Sequence, residues 1–248
     1  MSGDTHSRLA DFPEMYEVRS PGILSLSALR KGGDGSFDRP INDSSDSSGL
    51  VRVVPAGLIF DRSKEKELSV STDDVIELAA RIAALTQGNP LGFVPAAALA
   101  EIVSSLTFGL VSDIKTAVTS TMEKIRYHFG DDEDVNHFLK LIDKAIGLAE
   151  SDLSDREAIP LLGEGWDADE AVAIAVFCSI RHSDDFEEGL IASVNHRGNS
   201  NSTGAVTGSI LGAGLGYENI PDKFTKKLEL RKMILEFAEV LFHRIQIA

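Results

Sequence analysis

From Thr72 onward apolar residues recur at helical spacing, and no long stretch alternates with the period of two that a strand needs. That pattern constrains the chain to an all-α fold, with residues 72–245 helical. Val75, Ile76, Ala79, Ile82, Ala83 and Leu85 share one face of a helix that Thr72 can cap. The helix stops at Gln87-Gly88-Asn89-Pro90, and Pro90 suits the first turn of the next one. Further helices are predicted over roughly 96–110, 113–129, 133–150, 167–182, 184–196, 203–215 and 223–245. The pattern shows no tandem repeat of solenoid length.

Residues 1–50 are loop-rich instead. They hold Pro13, Pro21, Pro40, the Gly32-Gly33-Asp34-Gly35 cluster and the tract Asn42-Asp43-Ser44-Ser45-Asp46-Ser47-Ser48-Gly49. A short apolar piece from Ile23 to Leu29 interrupts them. The Ser/Asp tract leads straight into Leu50-Val51-Arg52-Val53-Val54-Pro55, so it is expected to lie against the core as an ordered loop. Residues 1–248 are read as a single domain, long enough for a core of its own.

Charge narrows the function classes. Lys and Arg total 24 against 39 Asp and Glu, a formal net charge of −15. Such a surface repels phosphate backbones and anionic membranes, so neither nucleic acid nor membrane is expected as a partner. Cys178 is the only cysteine, which excludes an intrachain disulfide and a cysteine-based zinc site. The N-terminus carries no apolar run of the secretory kind, and no window reaches 18 uninterrupted apolar residues. A cytoplasmic location is the expectation.

Gly204, Gly208, Gly212 and Gly216 recur every fourth residue of one predicted helix. Glycine costs about 1 kcal/mol relative to alanine in a helix interior, so the stripe implies close approach of another backbone. The start of that helix, Gly198-Asn199-Ser200-Asn201-Ser202-Thr203, offers small side chains and free N–H groups that suit an anion or a metal.

These residues also carry a resemblance. His196-Arg197-Gly198-Asn199-Ser200-Asn201-Ser202-Thr203-Gly204, running on to Gly212-Ala213, resembles the C-terminal motif of the ADP-ribosylglycohydrolase family. Gly163-Glu164-Gly165-Trp166 with Glu170-Ala171 resembles the lead-in to that motif. Ser20-Pro21-Gly22, Ile41-Asn42-Asp43-Ser44 and Arg52-Val53-Val54-Pro55 resemble its central loop. Leu85-Thr86-Gln87-Gly88 falls at its threonine-histidine helix end, and Tyr217 to Pro221 at the close of its glycine helix. The resemblance implies an orthogonal helical bundle that hydrolyses ADP-ribose from a modified side chain, using two magnesium or manganese ions held by aspartates.

This chain departs from the family where the chemistry lies. The family's Asp-x-Asp pair is Asn199-Ser200-Asn201, followed by Ser202, so the metal positions carry neutral groups. Amide oxygens can ligate a hard cation but do not neutralise its charge. The family's N-terminal Thr-Asp-Asp motif is read as missing, the resemblance beginning near Leu9, which makes the expected bundle N-terminally truncated. Thr72-Asp73-Asp74 spells the triplet but follows the central loop, at the start of a helix, and is read as a decoy. The family's histidine is Gln87, and its glycine-rich substrate loop is Ser45-Asp46-Ser47-Ser48-Gly49, where Asp46 would repel a pyrophosphate. The candidate ligand cleft therefore comprises Asn42, Asp43, Ser44, Ser47, Ser48, Gly49, Gln87, His196 and Gly198.

Other polar residues have plainer explanations. His128 and His137 flank Asp131-Asp132-Glu133-Asp134, read as a solvated turn that supplies charge to a helix N-terminus. Cys178 is read as a buried thiol, and His182 and His243 as helix-end residues.

Two function classes follow. One is a pseudoenzyme with no catalytic residues, metal or cofactor, which binds an ADP-ribosylated protein, ADP-ribose or an ADP-ribosylating toxin. The other is an ADP-ribosyl hydrolase, weakly dependent on magnesium or manganese or completed by a separate chain. In either class a missing N-terminal segment would leave apolar surface, to be covered by a homodimer, by a protein partner, or by residues 1 to 20 folding back.

Overall fold

Helices carry the fold, and among the described residues no strand forms. The computed structural model describes residues 22–32, 34–59 and 72–247. Its longer helices in chain order are α1 (Ile23–Arg30), α2 (Thr72–Ala84), α3 (Pro90–Thr107), α4 (Ile114–Phe129), α5 (Glu133–Ala149), α6 (Ala168–Arg181), α7 (Phe186–Val194), α8 (Ser200–Leu215) and α9 (Arg231–Ile247). The expected fold-back of residues 1 to 20 and the motif residues Ser20-Pro21 fall outside the described residues, as do the side chains of Thr72 and Asp73.

The middle of the bundle is α3. Asn89 accepts a hydrogen bond from the Leu91 N–H, and Pro90 fills the first turn, where no N–H is needed. Every residue from Val94 to Ser105 is buried, under α2, α4, α5, α6, α8 and the turn Val54–Leu58. By length and composition α3 could cross a membrane, but 78% of it is buried inside this bundle. Its alanines admit close neighbours: a Cβ on Gly57 would stand 2.4 Å from the carbonyl oxygen of Ala100. Glu101, fully buried, meets Lys124 of α4 at 2.7 Å and the Ser105 hydroxyl at 3.0 Å. The helix begins at Pro90, as the breaker sequence implies, ahead of the 96 read from periodicity alone. Pro95 removes one helical N–H, a loss that burial of its neighbours offsets.

Behind α3, α5 and α6 lie together and bury Phe138 and Phe177, each worth roughly 1.5–3 kcal/mol of hydrophobic stabilisation. Arg181, at the end of α6, joins them. Its guanidinium donates to the carbonyls of Leu148, Ala149, Ser151 and Leu153 and to Asp155, and its Cζ lies 4.7 Å from the Phe177 ring centre. One cation thus satisfies the open carbonyls at the end of α5.

Two predicted boundaries shift. α8 starts at Ser200 instead of 203, with Asn199 as its N-cap. The helix predicted over 223–245 is broken into a single turn, Asp222–Thr225, and α9. The break ends at Leu230, whose φ of 58° no helix interior allows. The bland readings stand: Asp132 caps α5, His182 pairs with Asp155 at 3.0 Å, and burial pushes the Cys178 thiol well up from its ordinary value.

The glycine stripe needs close approach only at its start. A Cβ on Gly204 would stand 2.7 Å from Val194, but one on Gly208 or Gly212 would meet only ordinary contacts, at 3.5 Å from Leu190 and 3.8 Å from Ile220. Gly208→Ala and Gly212→Ala are therefore expected to hold or raise stability, each by up to about 1 kcal/mol. Gly204→Ala should lower it by about 1–3 kcal/mol through overpacking. Urea unfolding of the three variants checks the contrast.

Asp169, in the first turn of α6, is buried with His137 3.3 Å from its Oδ2 and no hydrogen-bond partner for Oδ1. Burial raises its pKa. The folded state therefore holds this proton more tightly than the unfolded chain. The resulting stabilisation is full below the unfolded pKa and is lost as pH rises through the folded one. Asp169→Asn should raise the melting temperature at pH 7, with the gain shrinking toward pH 4. A gain unchanged across that range would contradict the assignment.

Candidate functional site

Three stretches far apart in sequence meet at the start of α8. The Ser47 N–H donates to the Trp166 carbonyl at 2.9 Å and the Ala168 N–H to the Ser45 carbonyl at 2.8 Å, making a bridge of Asp46 with Asp167. The Asn199 N–H donates to the Glu164 carbonyl at 2.7 Å. Gly198 packs so tightly there that a Cβ would lie 1.7 Å from that same oxygen. Ser47, fully buried, closes the junction: its hydroxyl donates to the Gly165 carbonyl at 3.1 Å and stands 2.9 Å from Ser202 Oγ. The Ser/Asp tract is thus an ordered loop against the core, as its sequence implies.

Asn199 is used at both ends of its amide. Its oxygen accepts from the Ser202 N–H at 3.3 Å, and its Nδ2 donates to Ser47 Oγ at 3.1 Å. An aspartate would keep the cap but could not donate, so the amide matches the Ser47 network. Asn201 is exposed beside it.

A second cluster fills the space next to Ser48. Gln87, fully buried, accepts from the Thr86 hydroxyl at 2.6 Å and donates to Ser48 Oγ at 3.2 Å and Ser25 Oγ at 3.3 Å. Arg52 donates to Ser25 at 2.9 Å, and its burial lowers its pKa against the pull of Asp46. Gly49 is glycine because Gln87 lies against it: a Cβ would stand 2.5 Å from the Gln87 oxygen. Asn42 spans Thr86 and Gly88, Asp43 accepts from Asn89, and Ser44 accepts from the Asp46 N–H. Of the predicted ligand-cleft residues, Asn42, Asp43, Ser44, Ser47, Ser48, Gly49 and Gln87 are joined to one another or to the scaffold.

His196 and Gly198 do line an open cleft of about 560 Å³, between the turn Asp155–Ala158, Gly163-Glu164 and residues 195–198. Both His196 nitrogens are engaged. Nδ1 accepts from the Gly198 N–H at 3.0 Å, and Nε2 lies 2.9 Å from Thr203 Oγ1, whose own proton goes to the Ser193 carbonyl at 2.7 Å. This assigns the proton to Nε2 and the ring to the neutral state. Sequence reasoning missed Ser25 and Arg156, and gave Arg52 and Glu170 no site role. None lies within the motif around α8, and only the fold brings them near it.

Among the described residues, the donors at the start of α8 are neutral and the nearby carboxylates are engaged. Asn199, Asn201 and Ser202 are neutral, Asp46 caps its own turn through the Ser48 N–H, and Asp167 accepts from Ser45. Among the described residues, no three His, Cys, Asp or Glu side chains gather as a ligand set.

An all-α bundle whose glycine-rich helix begins where a Ser/Asp loop and a Gly-x-Gly-Trp turn converge defines a recognisable class. A sequence model of the ADP-ribosylglycohydrolase family matches residues 2–247, and the chain belongs to that family. The match starts earlier than the resemblance noted from Leu9. A solved structure described as an ADP-ribosylglycohydrolase-related protein complex is similar over 90% of this chain and 69% of its own. It is 22% identical with a TM-score of 0.64, a likeness of fold. Comparison with curated proteins gives no match.

Burial lowers the His196 pKa, against opposing contributions from Ser193 and Glu164. Its stabilising contribution is full above the unfolded pKa of about 6.5 and is lost as pH falls through the lower folded value. An NMR titration should give a His196 midpoint below 6.5 with the proton on Nε2. His196→Gln should remove that part of the acid destabilisation.

Proposed function

We propose that this chain is a non-catalytic member of its family, which acts by binding ADP-ribose or an ADP-ribosylated protein. One observation carries the reading: both ends of the Asn199 amide are bonded within the fold, at a position where the resemblance expects a charged metal ligand. Two divalent cations bring four positive charges, and burying them against amides and hydroxyls is strongly unfavourable. Gln87, packed against Gly49, further supports a cleft filled by its own side chains. A partner protein or second copy is part of the reading. Exposed Ile234, Phe237 and Phe242 on α9 offer apolar surface for it.

The family match across residues 2–247 favours a second reading, a hydrolase that is weakly metal-dependent or completed by a separate chain. A neighbouring reading frame carrying a Thr-Asp-Asp segment would favour it, and a neighbouring transferase toxin the first.

Calorimetric titration with manganese is expected to give no micromolar binding of two ions per chain. ADP-ribosylated arginine and serine peptides should release no ADP-ribose. Asn199→Asp with Asn201→Asp should restore neither, because an aspartate at 199 disrupts the Ser47 network while the rest of the ligand set stays neutral. Turnover abolished by EDTA would sink the non-catalytic reading and promote the hydrolase.

A further inference from the structure

Helix α1 lies against the Ser48–Gln87 cluster, and one hydroxyl holds it there. Ser25 Oγ accepts from Arg52 Nη2 at 2.9 Å and from Gln87 Nε2 at 3.3 Å, which leaves its own proton for Ser48 Oγ at 2.7 Å. Little else anchors the helix. Ala28 is its one buried residue, while Ile23 is 83% exposed and Leu24 and Leu29 also face solvent. The apolar burial that fixes most helices to a protein is therefore nearly absent. Gly22 is the N-cap, without a side-chain hydrogen bond, and Gly32 follows the C-cap at a φ of 128°. The groups under α1 are better enclosed than α1 itself. Gln87 has no exposed surface, with Gly49 and Gly92 packed against it from the core and Thr86 bonded to its oxygen.

We propose that α1 is an autoinhibitory strap: Ser25 occupies the polar groups of Ser48, Arg52 and Gln87, and the helix swings away as a unit to free them. Lifting α1 uncovers a single alanine side chain, so the closed state rests on polar bonds that water can replace at small net cost. The rest of the cluster stays in place, because Gly49, Thr86 and Gly92 hold Gln87 without any contribution from α1. Binding then requires the open state, and apparent affinity falls with the fraction of molecules that are open. The strap regulates the binding function proposed above and rests on that reading for the identity of its ligand. Its opening does not depend on whether catalysis is lost.

Hydrogen exchange of the full chain, followed by NMR, reads two probes together: the backbone amides of residues 26–31 and the side-chain amide of Gln87. A strap that opens exposes both at one rate, whereas a helix that only frays exposes its own amides and leaves Gln87 protected. Ser25→Ala is expected to accelerate both probes about tenfold and leave the amides of α3 unchanged. A second variant locks the strap. Ser25→Cys with Ser48→Cys sets two thiols where the hydroxyls stand 2.7 Å apart, and the buried Cys178 offers no competing partner. The oxidised form is expected to suppress Gln87 exchange and to bind ADP-ribose at least about tenfold more weakly than the same protein reduced. Gln87 exchange that does not follow the α1 amides, or equal ADP-ribose affinity in the oxidised and reduced forms, overturns the proposal. If no form binds ADP-ribose, Ser25→Ala included, the binding function falls instead, and the exchange result alone decides the strap.

Discussion

The fold turns on a buried hydroxyl. Ser47 stands where the loop of residues 42–50, the turn 163–166 and the start of α8 come together, and it contacts all three. Each polar atom there has lost water and must find a partner inside the protein, because a buried group left unpaired costs about 1–3 kcal/mol. The loop has only the short 3-10 turn Ser47–Gly49 to satisfy its own backbone, so its order leans on the bonds to Trp166 and Ala168. Those bonds in turn fix how α6 and α8 begin. The same contact that orders a polar tract thus sets the relative placement of two core helices.

A second constraint lies at the other end of α6. Arg181 gathers four carbonyls near the end of α5 and stacks on Phe177, so one side chain both caps a helix and seals the core. It also takes up Asp155, which His182 shares. Electrostatic pairing inside the scaffold decides which charges remain available at the surface.

Much of this was legible in the sequence, for local reasons. Helical period and breakers place α2 to α8 within a few residues, and the apolar run after Pro90 marks the buried helix. The motif around Asn199 identifies the family. The misses have physical causes. Periodicity put the third helix at roughly 96–110, but it runs from Pro90 through Pro95, whose cost in an isolated helix the surrounding core offsets. The break before α9 rests on a left-handed Leu230, a residue with no local preference for that conformation. The neighbours of Gln87 are hidden for another reason. Ser48 and Ser25 lie 39 and 62 residues away in sequence, and only the fold brings them within hydrogen-bonding distance.

The fit between Gly49 and Gln87 has a consequence for substitution. The glycine leaves room for a side chain, and the glutamine fills it, so neither position is free to change alone. A larger residue at 49 collides with the amide, and a shorter one at 87 opens a void and strips Thr86, Ser25 and Ser48 of a partner. The two positions are therefore coupled: a change at one is tolerated only with a matching change at the other.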